Sequence, residues 1–364
     1  MYKLNEYSLN KRYDNLDLFD AKAVDEIAHN ITLSSTPSGY TQGPDTTSTA
    51  SYKWAGGVLT PSGKVVMIPS SYQYIGIYDP VENTYTQGPD TTTATSKWLG
   101  GVLTPSGKVV MIPLNYRYIG IYDPVENTYT QGPDTTTATI KWAGGVLTPS
   151  GKVVMIPHSY RYMGIYDPVE NTYTQGPDTS TATIKWYGGV LTPSGKVVMI
   201  PCSYQYIGIY DPVENTYTQG PDTSTTTAKW VGGVLTPSGK VVMIPYSYQY
   251  IGIYDPVENT YTQGPDTTST ASYKWVGGVL TPSGKVVMIP NTYQYIGIYD
   301  PVENTYTQGP DTTSTASYKW VGGVLTPSGK VVMIPNTYQY IGIYNTGRTC
   351  KNPTAPLSAF LNKF

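Results

Sequence analysis

Seven tryptophans, Trp54, Trp98, Trp142, Trp186, Trp230, Trp275 and Trp320, stand 44, 44, 44, 44, 45 and 45 residues apart. Each opens the frame W-x-G-G-V-L-T-P-S-G-K-V-V-M-I-P, followed by Y-x-Y-I-G-I-Y-D-P-V-E-N-T-Y-T-Q-G-P-D with few departures. The repeats run from Tyr40 to Tyr344. A unit of this length cannot bury its own apolar faces, so its copies must stack on one another.

One unit reads as four strands. Gly56–Thr60 (GGVLT) is followed by a tight turn at Pro61-Ser62-Gly63, where Gly takes a positive φ at little cost. Lys64–Ile68 (KVVMI) ends at Pro69, and Tyr74–Tyr78 (YIGIY) ends in the D-P-V-E-N turn. Tyr85–Gly88 (YTQG) ends at Pro89. The first three strands are apolar on both faces and need neighbours on both sides. The fourth is polar and suits an outer edge. Four short strands per unit, stacked so that both faces are covered, predict an all-β fold, a β-propeller of seven blades.

The chain ends predict closure. Tyr40-Thr41-Gln42-Gly43 is a fourth strand with no blade before it, and Tyr340–Tyr344 is a third strand with no fourth after it. The N-terminal strand therefore completes the last blade and removes the free sheet edges. The expected layout is an N-terminal extension, 1–39, with a short helix at Asp20–His29. The propeller spans 40–345, with units starting at Tyr40, Tyr85, Tyr129, Tyr173, Tyr217, Tyr261 and Tyr306. A tail, 346–364, carries an amphipathic helical stripe at Leu357, Phe360, Leu361 and Phe364. Both extensions are expected to emerge opposite the variable rim described below, either capping the propeller or anchoring it in a larger assembly.

The blades resemble kelch-type repeats of the galactose-oxidase-like kind. They resemble more closely the G-G-V-L-x-P-x-G-K repeat proteins of bacteria, protists and large DNA viruses. The likeness implies the propeller and says little of activity, because this fold hosts many functions. The copper chemistry of galactose-oxidase-like propellers cannot be carried over, because His29 lies outside the blades and His158 stands alone.

Comparison of the repeats with one another shows where they differ. The residue before Lys-Trp reads Tyr52, Ser96, Ile140, Ile184, Ala228, Tyr273, Tyr318. The one after Trp reads Ala55, Leu99, Ala143, Tyr187, Val231, Val276, Val321. The one after M-I-P reads Ser70, Leu114, His158, Cys202, Tyr246, Asn291, Asn336. A Gln/Arg position follows at Gln73, Arg117, Arg161, Gln205, Gln249, Gln294 and Gln339. These positions fall in the connections from strand 4 to strand 1 and from strand 2 to strand 3, which share one end of the disc. Two readings fit: a recognition rim, with Tyr52, Ser70, Gln73, Leu99, Leu114, Arg117, His158, Arg161, Tyr187, Cys202, Tyr246, Asn291 and Asn336 as candidate contacts, or loops that tolerate drift.

Lys53, Lys97, Lys141, Lys185, Lys229, Lys274 and Lys319 open strand 1 at the same end. They are expected either to form a cationic ring at the channel mouth or to pair with aspartates such as Asp90 and Asp134. The tryptophans beside them read as wedges between blades, with sugar-stacking platforms as the other use.

Net charge −2 excludes nucleic-acid binding by bulk positive charge. No stretch is long and apolar enough for a spanning helix, and the start lacks a secretory h-region, so a cytoplasmic or virion-associated protein is expected. Two cysteines exclude a disulfide framework. No catalytic signature, metal-ligand set or cofactor motif occurs, and sevenfold copies argue against a unique active site. The expectation is a non-enzymatic scaffold, a viral or microbial structural or attachment protein binding a protein or glycan partner through the variable face. The alternative is a carbohydrate-active enzyme with its site at the channel mouth.

Overall fold

The computed structural model describes residues 38–347. The expected terminal helices lie outside these residues. The described chain forms seven four-stranded antiparallel sheets. In blade 1 the strands are Trp54–Leu59, Val65–Pro69, Tyr74–Asp79 and Thr84–Asp90, each paired with the next. The last blade takes its outer strand from the other end of the chain. Gly39–Asp45 pairs with Tyr340–Asn345, placing Tyr40 opposite Tyr344 and Thr41 opposite Ile343.

Two strand limits of blade 1 differ from the sequence reading by two residues, and the others by one at most. The inner strand starts at the tryptophan rather than after it, because a bulge between Trp54 and Gly57 absorbs the intervening residues while the ladder continues. The outer strand runs on through Pro89 to Asp90. Proline is tolerated there because an outer edge strand has backbone groups facing solvent that need no ladder partner.

Each blade has two apolar faces because it has two neighbours. Val58, Val66, Ile68 and Ile75 of blade 1 pack against Trp98, Val109, Met111 and Tyr122 of blade 2. Val65, Met67 and Trp54 use the opposite face, against Val324, Val332 and Ile334 of blade 7. All seven tryptophans are fully buried at these junctions. The indole N–H is not lost to burial, since Trp98 Nε1 donates to the Tyr118 carbonyl at 3.1 Å. Burying such a ring contributes on the order of 3 kcal/mol. The tryptophans are therefore wedges, as one of the two sequence readings had it. The sequence has 36 tyrosines against three phenylalanines, and much of that excess has the same origin: Tyr116 and Tyr129 flank Trp98 edge-on at 5.3 and 5.7 Å.

Around the axis the first glycine of each G-G pair forms a closed ring. A Cβ on Gly56 would stand 3.2 Å from the Gly100 Cα, and one on Gly100 would stand 3.3 Å from the Gly144 Cα. The series returns from Gly322 to Gly56 at 3.4 Å. These glycines also have positive φ, +97° at Gly56 and +84° at Gly100. Glycine is needed twice over, for the backbone conformation and for the close approach of inner strands.

At the opposite end the turns are self-contained. Asp79 Oδ1 accepts the Val81 and Glu82 amides at 3.0 and 3.2 Å, and Tyr78 donates to Asn83 Oδ1 at 2.8 Å. These bonds explain why D-P-V-E-N hardly changes between copies.

Candidate functional site at the channel mouth

Backbone bonds position the variable residues. The Ser70 amide donates to the Lys53 carbonyl at 2.8 Å, and its carbonyl accepts the Lys97 amide of the next blade at 2.9 Å. The same pair of bonds holds His158, Cys202 and Asn291. The main chain here is fully committed to joining two blades, so only the side chain is free to differ. The residue before each lysine sits at positive φ, from +49° at Ser96 to +58° at Tyr273.

Three of the four variable columns converge. Tyr52, Ser96 and Tyr318 come from the first column. Ala55, Leu99, Tyr187, Val231, Val276 and Val321 come from the second. Ser70, Leu114, Tyr246, Asn291 and Asn336 come from the third. Together they line a funnel of about 250 Å³ at the channel mouth. No charged side chain lines it. His158 lies beside it, its ring 5.8 Å from that of Tyr187 and nearly perpendicular to it. Cys202 is buried among Val231 and Val276, next to Tyr187 and Tyr246.

The fourth column goes elsewhere. Gln73 Nε2 donates to Asp90 Oδ2 at 2.6 Å, and Arg117 Nε donates to Asp134 Oδ1 at 2.6 Å. Arg161 meets Asp178 in the same way, at 2.7 Å. Gln73, Arg117 and Arg161 are thus bonded to the outer strand of their own blade and do not belong to the mouth. Gln and Arg alternate there because either can donate to the aspartate. Conversely, Ser96, Tyr318, Val231, Val276 and Val321 line the funnel although sequence reasoning did not select them. Membership of the same three columns was the signal that would have found them.

The lysines form no cationic mouth, and among the described residues none of the seven makes an ion pair with an aspartate. All seven are fully buried. Lys97 Nζ donates to the Tyr72 and Ala94 carbonyls at 2.8 and 3.1 Å and lies 5.5 Å from the centre of the Trp98 ring. Lys229 Nζ has three such carbonyls, of Tyr204, Ser224 and Thr226, at 2.8, 3.2 and 2.9 Å. Each ammonium ties the preceding blade and the inter-blade loop to its own strand. The physical reason is supply: the converging loop carbonyls need donors, and an ammonium has three.

Burial lowers these ammoniums from 10.5 to about 8, with the nearest loop aspartate opposing in six of them. At Lys229 burial again dominates, opposed by Cys202 and Asp222. Between pH 8 and 10.5 the unfolded chain therefore holds more lysine protons than the folded one, and stability rises with pH. Tyr78, Tyr254 and Tyr299 are pushed from 10.0 up to about 12, chiefly by burial. Above pH 10 the unfolded chain loses tyrosine protons first, and stability falls. Urea midpoints measured from pH 7 to 11.5 should peak near pH 10. A steady decline from pH 7 would contradict this.

His158 is the one histidine among the described residues. Its Nδ1 lies 3.1 Å from Ser159 Oγ. Burial, aided by nearby Lys185, lowers it from 6.5 to about 4, so the imidazole is neutral at pH 7. Burial raises the Tyr187 phenol, helped by Tyr246 and Cys202, and raises the Cys202 thiol to about 11. The cluster is uncharged at neutral pH. No three His, Cys, Asp or Glu side chains among the described residues come together in a way that could hold a metal ion.

No family model matches the chain, and no curated protein matches it. Similar solved structures include a streptogramin B lyase, with TM-score 0.73 and 13% identity over 85% of this chain and 97% of that one. A catalytically inactive virginiamycin B lyase from Staphylococcus aureus with quinupristin gives 0.72 and 12% over 85% and 99%. A fungal alcohol oxidase in complex with copper gives 0.64 and 13% over 87% and 76%. At these identities the likeness shows the fold, a seven-bladed propeller of four-stranded blades. Two of these three structures carry lyase names, the third an oxidase name, and none a kelch name. The expectation of a non-enzymatic scaffold is corrected by the same finding. Propellers of this shape include lyases, so sevenfold repetition of the frame is no argument against catalysis; variation at the mouth supplies residues that occur once.

Proposed function

We propose that the protein is a propeller enzyme acting on a small, uncharged molecule at the channel mouth. The observation that carries this reading is the convergence of three variable columns on one uncharged funnel, with His158 beside it. Ligand pockets commonly span roughly 300–1,000 Å³, so a funnel of about 250 Å³ suits a molecule of one or two rings. The sequence reading of a carbohydrate substrate fits less well than the site at the mouth, because Leu99, Leu114, Val231 and Val276 would strip water from sugar hydroxyls without replacing their bonds.

The chemistry that suits the cluster is proton transfer. A neutral imidazole is a base, and a phenol that keeps its proton is an acid. Elimination next to a carbonyl, a lyase reaction, uses both: the base takes the proton on carbon and the acid supplies one to the leaving group. The lyase names of similar propellers support that class.

The test is turnover of a panel of aromatic esters, lactones and β-substituted acids followed by mass spectrometry at pH 7. At least one panel member is expected to react, and His158→Ala should slow it by about 10²–10⁴-fold. No reaction with any member, or equal rates for His158→Ala, would remove the reading.

A further inference from the structure

One side of the channel mouth differs from the rest: Tyr52, Tyr246 and Tyr318 line the funnel there, and Tyr273 stands between Tyr246 and Tyr318 outside the lining. Tyr246 and Tyr273 have ring centres 4.9 Å apart, Tyr273 and Tyr318 6.0 Å, and Tyr318 and Tyr52 6.1 Å. They form an unbroken arc. Three of them precede the lysines of consecutive blades, and their loops are those of the longer S-T-A-S-Y-K-W form. The corresponding positions across the ring are Ser96, Ile140, Ile184 and Ala228. The aromatic side is therefore built by neighbouring blades and is not a property of the repeat.

At the foot of this arc is an unused acceptor. Asn291 is only 1% exposed. Its Nδ2 donates to the Trp320 carbonyl at 2.9 Å, which fixes the amide orientation, since a carbonyl can only accept. That leaves Asn291 Oδ1 buried without a hydrogen-bond partner, and the adjacent Thr292 Oγ1 is in the same condition. Elsewhere this neighbour is occupied: Ser71, Asn115, Ser159, Ser203 and Ser247 each accept an amide from the next blade. In blade 7 the same Asn-Thr pair closes on itself, Thr337 Oγ1 to Asn336 Oδ1 at 3.4 Å. Among the described residues, blade 6 alone leaves both members of this pair of positions with a buried, unpaired oxygen. A buried acceptor left unpaired is destabilising, so a donor arriving there gains a bond and relieves that cost.

We infer that this side of the funnel is a subsite for a flat, uncharged aromatic ring carrying one N–H or O–H donor, with the ring against the tyrosine arc and the donor on Asn291 Oδ1. Aromatic rings stack offset or edge-on against tyrosine, and the tilted arc offers both. A charged ring would lose its hydration to a wall with no counter-ion. The inference deepens the reading of the mouth as a small-molecule site but does not depend on the chemistry at His158.

The test is ¹⁹F NMR titration of the intact protein with 5-fluoroindole and with 5-fluoro-1-methylindole, which has the same ring without the donor. The N–H compound is expected to bind about tenfold more tightly or better, by the value of one buried hydrogen bond. Asn291→Ala should abolish that preference, whereas Asn336→Ala should retain it. Tyr273→Leu, at a partly exposed position where folding is not at risk, should weaken both compounds alike. Arg117→Ala, remote from the mouth, should bind both as the parent does, and because binding is read without turnover, failure of the subsite is distinguishable from failure of the proposed reaction. Equal affinity for the two compounds, a preference that survives Asn291→Ala, or tighter binding of methyl glucopyranoside than of 5-fluoroindole would overturn the inference.

Discussion

A chain lacking residues 1–46 is expected to unfold at a much lower temperature and to associate. The deletion removes Gly39–Asp45, the outer strand of the last blade, whose register runs from Gly39 opposite Asn345 to Asp45 opposite Tyr340. It also removes Tyr40, which packs on Trp320 at 5.8 Å, and the Thr46 hydroxyl bond to the Gln339 carbonyl at 2.6 Å. Side chains of this size contribute roughly 1.5–3 kcal/mol each when buried, so the direct loss is several kcal/mol. The indirect loss is greater in kind. Strand Tyr340–Asn345 becomes a bare edge, and such an edge pairs with another chain. Scanning calorimetry and light scattering would show a midpoint lowered by well over 10 °C and a rise in mass, since ~1 kcal/mol shifts a midpoint by about 2–4 °C in domains of 150–250 residues. A peptide of residues 38–47 added in trans should restore part of the loss. An unchanged midpoint would show that the ring does not depend on its borrowed strand.

Gly144→Val should be the most damaging single change in the inner ring. Gly144 has φ +87°, and a Cβ there would stand 3.3 Å from the Gly188 Cα and 3.8 Å from its nitrogen. The conformational cost of a side chain in this region is about 1–2 kcal/mol, and valine's branching increases it. The contact with backbone adds a second cost, because moving one inner strand moves its neighbours round the whole ring. A total loss of at least ~3 kcal/mol is expected. Gly151→Ala is the control. It has nearly the same φ, +83°, but the nearest atom is Pro105 Cγ at 3.9 Å. It should cost only the conformational ~1 kcal/mol. Equal losses at Gly144 and Gly151 in urea titrations would mean that close approach at the axis has no energetic weight.

These two glycines show how far the sequence can be read. Gly151 belongs to a P-S-G turn, and its role follows from three adjacent residues. Gly144 looks the same in the sequence, yet its reason lies in Gly188, a full repeat away. The strands, the turns, the blade number and closure by the N-terminal strand were all legible, because they depend on periodicity and on which quarter of a repeat is missing at each end. The columns of variation were legible too. Their fates were not. Gln73 and Leu114 both belong to the strand 2 to strand 3 connection, yet one bonds to Asp90 on the outer strand and the other lines the mouth.

The lysines make the same point in chemical terms. Beside Trp98, Lys97 reads as one member of a cationic ring or as the partner of an aspartate such as Asp90. Its ammonium is instead enclosed by carbonyls of Tyr72 and Ala94, which only the assembled ring brings together. Local patterning by itself determined the seven blades, their hairpins and their closure, since these follow from alternation and turn chemistry within about 44 residues. Only the tertiary structure decided which side chains face the axis, which charges are buried and which acceptor at Asn291 is left open. Those properties depend on distances between residues in different blades, and no rule of local sequence sets them.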